Sequence, residues 1–256
     1  MAKRWTKPKL HWTKKTKVFV FAGVGLLAAV LVGFITYYNL PMKAEARELG
    51  MAQNMMTVRY RDTPNAVVLA PLAEAKKGIV LYPGARIDPA AYAYKMSLVA
   101  QSGVAVVIVK PPLHAPPLDW RPIADYTGLV ESVGDWYVAG HSLGGVKACQ
   151  VASGNAQLKG LLLFGAYCAG SISGLSMPVV SIGGSADRIT TPDDIAKRKA
   201  DLPATTTYEM IEGLNHSGFA DYGTQGGDGD MAVSDIAALS RLTSIITRFV
   251  GTAAAP

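Results

Sequence analysis

The sequence predicts an α/β fold, with a mostly parallel central β-sheet flanked by helices and preceded by one N-terminal transmembrane helix. An uncharged run of 21 residues, 18–38, lies near the start of the 256-residue chain. From residue 66 onward, short apolar runs rich in β-branched residues alternate with longer helical stretches. Several of these runs are continuously apolar, as expected for strands covered on both faces. Such alternation indicates parallel strands joined by right-handed crossovers.

The positive charge of the chain is concentrated at its N-terminus. Residues 1–17 contain seven lysines and arginines and no acidic residue, whereas the rest of the chain, with 18 basic and 19 acidic side chains, is nearly neutral. The net charge of +6 therefore belongs to a basic tail. Since no basic face is left on the folded part, we expect no binding of nucleic acid.

The uncharged run 18–38 has the length of a membrane span. At about 1.5 Å per residue it extends for about 31 Å, close to the hydrocarbon thickness of roughly 30 Å, and Tyr37 and Tyr38 end it as interfacial aromatic residues do. The basic tail keeps the N-terminus cytoplasmic and the remainder extracytoplasmic, which predicts a single-pass protein of the cell membrane. The alternative is a signal peptide cleaved near Ala44-Glu45-Ala46, which would give a secreted protein. The run is longer than the core of about 7–15 residues usual in signal peptides, which favours the anchor.

These features divide the chain into a basic cytoplasmic tail (1–17), a transmembrane anchor (18–38), a stalk (39–62) and a globular domain (63–256). The apolar runs 66–72 and 78–83 are so close that we expect an antiparallel hairpin. The predicted connections are short, so we expect no large lid. Further strands are predicted at 104–110, 135–140, 158–167, 177–184 and 205–213, and helices at 89–102, 121–132, 143–154, 192–201 and 232–250.

The two cysteines give little information about function. Cys149 and Cys168 would pair only in an oxidising compartment, and Cys149 falls within a predicted helix. We therefore expect two small buried thiols, with a disulfide as the alternative. No cluster of Cys and His has the spacing of metal ligands, so we expect neither a metal nor an organic cofactor.

A serine flanked by glycines lies between a predicted strand and a predicted helix. The motif Gly140-His141-Ser142-Leu143-Gly144 follows the strand 135–140 and opens the helix 143–154. A sharp strand-to-helix turn of this kind exposes the serine hydroxyl at the carboxyl edge of the sheet, where it can act as a nucleophile. The glycines are needed because a Cβ would clash in so tight a turn.

The position of the histidines identifies a base for Ser142. Where the nucleophile lies on such a turn, the chain order is serine, then carboxylate, then histidine. Of the four histidines, His11 lies in the basic tail, His141 lies inside the turn, and His114 precedes the serine. His216 follows the last predicted strand, where the loop returns toward Ser142. We therefore predict His216 as the base.

Asp187 is the predicted carboxylate partner of that histidine. It comes just after the strand 177–184, 45 residues after Ser142 and 29 residues before His216. Each interval allows one strand–helix unit, as is needed to place all three above one sheet edge. Asp193 and Asp194 instead begin a helix after Pro192.

Two backbone amides are predicted to bind the oxyanion that forms on an attacked carbonyl. One is Leu143 N–H, directly after the nucleophile. The other is expected from the loop 82–89, where Gly84 allows a tight turn and either Ala85 or Arg86 donates.

Four segments of the chain, YPGARIDPAAY, AGHSLGG, GGSADRI and GLNHSGFADYGTQGGDG, resemble the alpha/beta-hydrolase superfamily. They resemble in particular a small bacterial subfamily with YPGxxVDPxAY and GNHAxFGxYGxQxGDG blocks, over about residues 60–250. The resemblance implies the triad Ser142, Asp187 and His216, and a contribution of the loop 82–86 to the oxyanion site.

The chain departs from that subfamily in two places. The segment KPPLHAPP replaces an MPLNLA-like segment, which changes one wall of the pocket. Ser217 and Ala220 replace other residues of the closing block without touching the triad. The closing residues Tyr222, Gln225 and Asp228 are expected to form a structural turn, or alternatively to line the pocket.

Together these residues predict a membrane-anchored serine hydrolase that cleaves an ester-type acyl bond of a small-molecule or lipid-like substrate through an acyl-serine. The alternatives are acyl transfer or lipid deacylation on the same triad, and an inactive binding module with the same fold.

Overall fold

The computed structural model describes residues 13–252, which form two compact units that divide after Leu40. The first unit contains the helix α1 (Lys14–Tyr38), whose N-terminus is capped by the Thr13 hydroxyl. By length and composition α1 is a candidate membrane span, and none of its residues is buried within the protein. The predicted span 18–38 lies within it. Residues 1–12 of the predicted basic tail lie outside the described residues.

The second unit is built on one eight-stranded sheet in the order β1-β2-β4-β3-β5-β6-β7-β8. The strands β3 to β8 run parallel, whereas β2 is antiparallel to both β1 and β4. Their bounds are β1 Val58–Asp62, β2 Ala66–Pro71, β3 Lys77–Tyr82, β4 Val104–Val109, β5 Asp135–His141, β6 Leu161–Phe164, β7 Val179–Gly184 and β8 Thr207–Ile211.

Helices cover both faces of this sheet, which confirms the predicted mostly parallel α/β fold. In β3, Ile79 and Leu81 pack on the side of α3 and α7, while Val80 and Tyr82 pack on the side of α4 and α5. This burial on both faces explains why the strand is continuously apolar. The helices of the unit are α2 Ala46–Gln53, α3 Ala93–Gln101, α4 Ala124–Thr127, α5 Leu143–Gly154, α6 Pro192–Lys197 and α7 Asp235–Thr252.

The predicted hairpin between the first two apolar runs is wrong. The strand β4 lies between β2 and β3, and Ala66 of β2 faces Val109 of β4. The connection 72–76 is long enough for this, because five residues reach up to about 17 Å and strands two apart are separated by roughly 10 Å. The outer edge of β2 instead pairs with β1.

The segment predicted as a stalk, 39–62, packs on the sheet from residue 42 onward. Met42 and Ile87 form a parallel bridge, Ala52 of α2 is fully buried, and β1 supplies the edge strand. The compact unit thus begins at Pro41, earlier than the predicted boundary at residue 63. The physical reason is that β2 has a free edge which β1 satisfies with backbone hydrogen bonds.

The connections around the sheet are short. The longest one between consecutive helices and strands of the second unit, 212–234, has 23 residues and contains a single turn of 3-10 helix. No large lid is therefore inserted in the described part of this unit, as predicted.

A disulfide joins Cys149 and Cys168, so the expectation of two thiols is wrong. The Cα atoms are 5.7 Å apart, a distance typical of a disulfide. Gly145, one turn before Cys149, explains this approach, because a Cβ there would lie 2.3 Å from the Ala166 Cβ. The helix α5 can therefore pack close to the loop that carries Cys168.

Removing this disulfide is expected to lower the free energy of unfolding by about 3 kcal/mol, because it closes a loop of 19 residues in the unfolded chain. The comparison is the unfolding midpoint of the full chain in detergent with and without reductant. A double variant, Cys149→Ala with Cys168→Ala, serves as control and should not respond to reductant. An unchanged midpoint in the wild-type chain would contradict the prediction.

Candidate active site

Ser142 lies on a tight turn between the end of β5 and the start of α5. Its backbone has a φ of 52° and a ψ of −125°, a region that non-glycine residues seldom adopt. A Cβ at Gly140 would lie 2.2 Å from the Gly144 carbonyl oxygen, and one at Gly144 would lie 2.1 Å from the Tyr82 carbonyl oxygen. Both glycines are therefore required by the turn, as the sequence predicts.

The turn leaves Ser142 accessible at the start of a helix. The residue is partly exposed, and its amide donates to the Phe164 carbonyl of the neighbouring strand at 3.1 Å. It also precedes the first turn of α5, where the partial positive charge of the helix N-terminus favours an anion. The hydroxyl is thus held at the carboxyl edge of the sheet.

His216 and Asp187 form a buried hydrogen-bonded pair at the same edge. The His216 Nδ1 is 2.8 Å from the Asp187 Oδ2, and both side chains are almost fully buried. The other carboxylate oxygen, Oδ1, accepts from the amides of Ile189 at 2.8 Å and Thr190 at 2.7 Å. These bonds hold the carboxylate in place, with its Oδ2 facing the Nδ1 of the imidazole.

The Nε2 atom of His216 is the remaining acceptor of this pair. It makes no hydrogen bond to any residue in the range 13–252. The ring lies against that of His141, with centroids 4.5 Å apart, and His141 directly precedes Ser142. The structure therefore brings His216 and Asp187 into contact and places His216 beside the turn that carries the serine.

The loop after β3 offers one unengaged amide. Gly84 N–H donates to the Tyr92 hydroxyl at 2.8 Å, and Arg86 N–H donates to the His114 carbonyl at 2.8 Å. The Arg86 amide is therefore engaged, which favours Ala85 of the two donors that the sequence predicts for this loop. The amides of Ala85 and Leu143 have no acceptor among residues 13–252.

The carbonyl that holds Arg86 belongs to a strained segment. Leu113 and His114 both have positive φ angles, of 53° and 51°, which cost energy in residues with a Cβ. This segment, 112–118, contains two single turns of 3-10 helix and overlaps the stretch KPPLHAPP, for which the sequence predicts a changed pocket wall. Its conformation therefore bears directly on the loop that carries Ala85.

Asp228 supports the histidine loop, a role that the sequence left open between structure and pocket lining. Its Oδ1 accepts from the His216 amide at 3.0 Å and its Oδ2 from the Ser217 amide at 2.8 Å. The next residue, Gly229, packs against the loop of Asp187, where a Cβ would lie 2.0 Å from the Ala186 carbonyl oxygen. One turn thus contacts both loops that carry the buried pair.

Replacing Asp228 by asparagine is expected to lower the thermal midpoint and to reduce turnover. The new NH₂ group would face an amide donor, which leaves a buried donor unsatisfied at a cost of about 1–3 kcal/mol. The measurement is melting of the full chain beside hydrolysis of a chromogenic ester. Asp230→Asn, an exposed acid on the same turn, should change neither quantity. Wild-type melting and turnover in Asp228→Asn would show that the turn does not hold His216.

A cavity of about 760 Å³ lies behind the histidine loop. Lys95 and Asp221 form a buried ion pair in its wall, and Ser217 also lines it. Among residues 13–252, no group of three or more His, Cys, Asp or Glu side chains is arranged to hold a metal ion.

Comparison with protein families matches residues 78–240 to a model described as "Alpha/beta hydrolase family". The matched range runs from β3 into α7 and includes Ser142, Asp187 and His216. A search of curated proteins returned no match to the chain.

Proposed function

Because the chain belongs to the alpha/beta hydrolase family, we propose that it is a membrane-anchored serine hydrolase that cleaves an ester-type acyl bond. The observation that carries the proposal is the buried His216–Asp187 pair beside the strained turn of Ser142. A serine on such a turn, a histidine with a free Nε2 and a carboxylate bonded to that histidine are the three groups that acyl transfer through a serine requires.

The proposed reaction starts with the free Nε2 of His216. This atom takes the proton of the Ser142 hydroxyl as the oxygen attacks the acyl carbonyl carbon. The resulting oxyanion accepts hydrogen bonds from the amides of Leu143 and Ala85, which are the unengaged donors described above. When the tetrahedral intermediate collapses, His216 returns the proton to the leaving alcohol. Water, deprotonated by the same histidine, then attacks the acyl-serine; the bond to the Ser142 oxygen breaks, His216 returns the proton to that oxygen, and the acid is released.

Asp187 would act through the histidine. It holds the imidazole with its proton on Nδ1, and its negative charge stabilises the imidazolium formed during attack. The two backbone amides on Oδ1 fix the carboxylate in the plane needed for that bond. Neither a metal nor an organic cofactor has a part in this sequence of steps.

Three observations support an extracytoplasmic domain held by an uncleaved anchor. The helix α1 is long and apolar enough to cross a membrane, with a basic tail before it. The disulfide is typical of an oxidising compartment. Cleavage near Ala46 would remove Met42, which forms a bridge to Ile87. It would also remove Glu45, the residue before α2. The segment that a signal peptidase would cut is therefore part of the folded unit.

The experiment is labelling of the full chain, in detergent micelles, with a fluorophosphonate probe. We expect a single adduct, located at Ser142 by mass spectrometry, together with hydrolysis of p-nitrophenyl esters. A series of acyl chain lengths then defines the acyl group accepted, and a chain-length optimum with lipid esters would indicate lipid deacylation instead. Absence of both labelling and turnover in folded protein would overturn the proposal in favour of a binding module.

A further inference from the structure

Tyr92 links the loop of Ala85 to the turn of Ser142. Its hydroxyl oxygen accepts the Gly84 N–H at 2.8 Å and lies 2.8 Å from the Nδ1 of His141. Both Tyr92 and His141 are fully buried. The hydroxyl can donate its one hydrogen to His141 or accept a hydrogen from it, because the direction of this bond depends on the tautomer of the His141 ring.

The His141 ring stays neutral whichever way this bond runs. Its Nδ1 is bonded to the Tyr92 hydroxyl, and its Nε2 has no hydrogen-bond partner among residues 13–252. Burial, followed by the proximity of His216, holds the pKa of His141 well below its ordinary value. The ring therefore remains neutral and bonded to Tyr92 while His216 gains and loses its proton.

The linked residues stand next to the two unengaged amides. Gly84 directly precedes Ala85, and His141 is separated from Leu143 only by Ser142. Residue 84 is a glycine, so no side chain can fix the loop by packing at this point. The loop is held here through the backbone of Gly84, whose amide donates to Tyr92 and whose carbonyl accepts from the Ile87 amide at 3.3 Å.

His141 also contacts the proposed base. Its ring lies against those of His216, at 4.5 Å between centroids, and Phe219, at 5.3 Å. A shift of the His141 ring would therefore move both the turn of Ser142 and the surface on which the His216 ring rests.

We propose that Tyr92 and His141 are positioning residues that hold the amides of Ala85 and Leu143 at the separation needed to bind one oxyanion. The inference rests on the proposed serine-hydrolase function. It adds to that function the two residues, Tyr92 and His141, that keep the oxyanion site assembled. Neither side chain contacts the substrate. The hydroxyl acts through Gly84 and through His141.

The test replaces Tyr92 by phenylalanine in the full chain in detergent, which removes the hydroxyl and keeps the ring. Loss of a preorganised oxyanion donor costs about 10²–10³ in kcat, and misplacing one should cost less. We expect kcat to fall about 10- to 100-fold with KM changed by less than about threefold, because the oxyanion exists only in the transition state. Affinity for a trifluoromethyl ketone, which forms a tetrahedral oxyanion on the serine, should fall in parallel with kcat/KM.

Tyr137→Phe is the matched control. Tyr137 is equally buried and donates one hydrogen bond to the Val250 carbonyl at the opposite end of β5. The Tyr137→Phe variant should be less stable than the wild type, because a buried hydrogen bond is lost. Its kcat and its affinity for the trifluoromethyl ketone should stay at wild-type values. A purely structural role for Tyr92 would give the same result as this control.

His141 provides a second pair of variants. His141→Gln keeps a neutral acceptor for the Tyr92 hydroxyl, whereas His141→Leu removes it, so the glutamine variant should retain more of kcat. The double variant Tyr92→Phe with His141→Leu should be no slower than the slower single variant, because both break one link.

The outcomes separate the two proposals. Wild-type protein without labelling or turnover at Ser142 would overturn the function itself. Active wild-type protein with kcat and trifluoromethyl ketone affinity within about twofold in Tyr92→Phe, or equal kcat in both His141 variants, would overturn the positioning role alone.

Discussion

Replacing Ser142 by alanine is expected to reduce ester turnover by about 10⁴- to 10⁶-fold and to abolish fluorophosphonate labelling. No other hydroxyl in the described chain lies on the strained turn before α5, so nothing replaces the attacking oxygen. Losses of this size follow removal of a catalytic serine, and the residual rate reflects the oxyanion site and binding alone. Turnover of a p-nitrophenyl ester by the full chain, against a buffer blank, measures the loss.

The matched control for this variant is Ser153→Ala on the same helix. Within residues 13–252 the Ser153 hydroxyl bonds to the Cys149 carbonyl alone, and Ser153 is exposed. It should label and turn over at wild-type rates. Labelling that persists in Ser142→Ala at the wild-type rate would place the nucleophile elsewhere.

Replacing Asp187 by asparagine is expected to lower kcat by about 10⁴-fold at neutral pH. The backbone amides of Ile189 and Thr190 are hydrogen-bond donors and would therefore bind the oxygen of the new side-chain amide, not its NH₂ group. The NH₂ group would then face His216 Nδ1 and force the ring proton onto Nε2. In that tautomer the histidine cannot accept the serine proton.

The pH profile of kcat and the rate of labelling check this second prediction. Labelling should be slow but still located at Ser142, because the nucleophile remains in place. Asp193→Asn, an exposed acid in the first turn of α6, is the control and should leave kcat unchanged. An Asp187→Asn variant with kcat within about tenfold of the wild type would contradict the role proposed for the Asp187 carboxylate.

Much of the fold could be predicted because its signals are local. Continuous apolar runs marked the buried parallel strands, and Gly140 and Gly144 marked a turn that the structure shows has no room for a Cβ. The short α4 shows the limit of such signals. The predicted helix 121–132 is a single turn, Ala124–Thr127. The pattern of residues did not show that this helix ends at Gly128.

The candidate triad could be proposed from the glycine-flanked turn, the chain order and the positions after predicted strands, and the geometry of His216 with Asp187 agrees with it. The features that the sequence missed depend on contacts between distant segments. The place of β4 beside β2, the pairing of Cys149 with Cys168, and the bond from Arg86 to His114 each join residues that are brought together only by the sheet. No local pattern of residue types distinguishes Ala85 from Arg86 as a donor.

The bond between the Arg86 amide and the His114 carbonyl has a consequence for redesign of this protein. The segment KPPLHAPP, for which the sequence predicts an altered pocket wall, would be a target for a library that aims to change the acyl selectivity of the proposed hydrolase. Its backbone, however, also secures the loop that carries Ala85. Variants selected there for a new acyl group would lose speed on every substrate unless the conformation of residue 114 were kept, so selectivity and rate should be screened together.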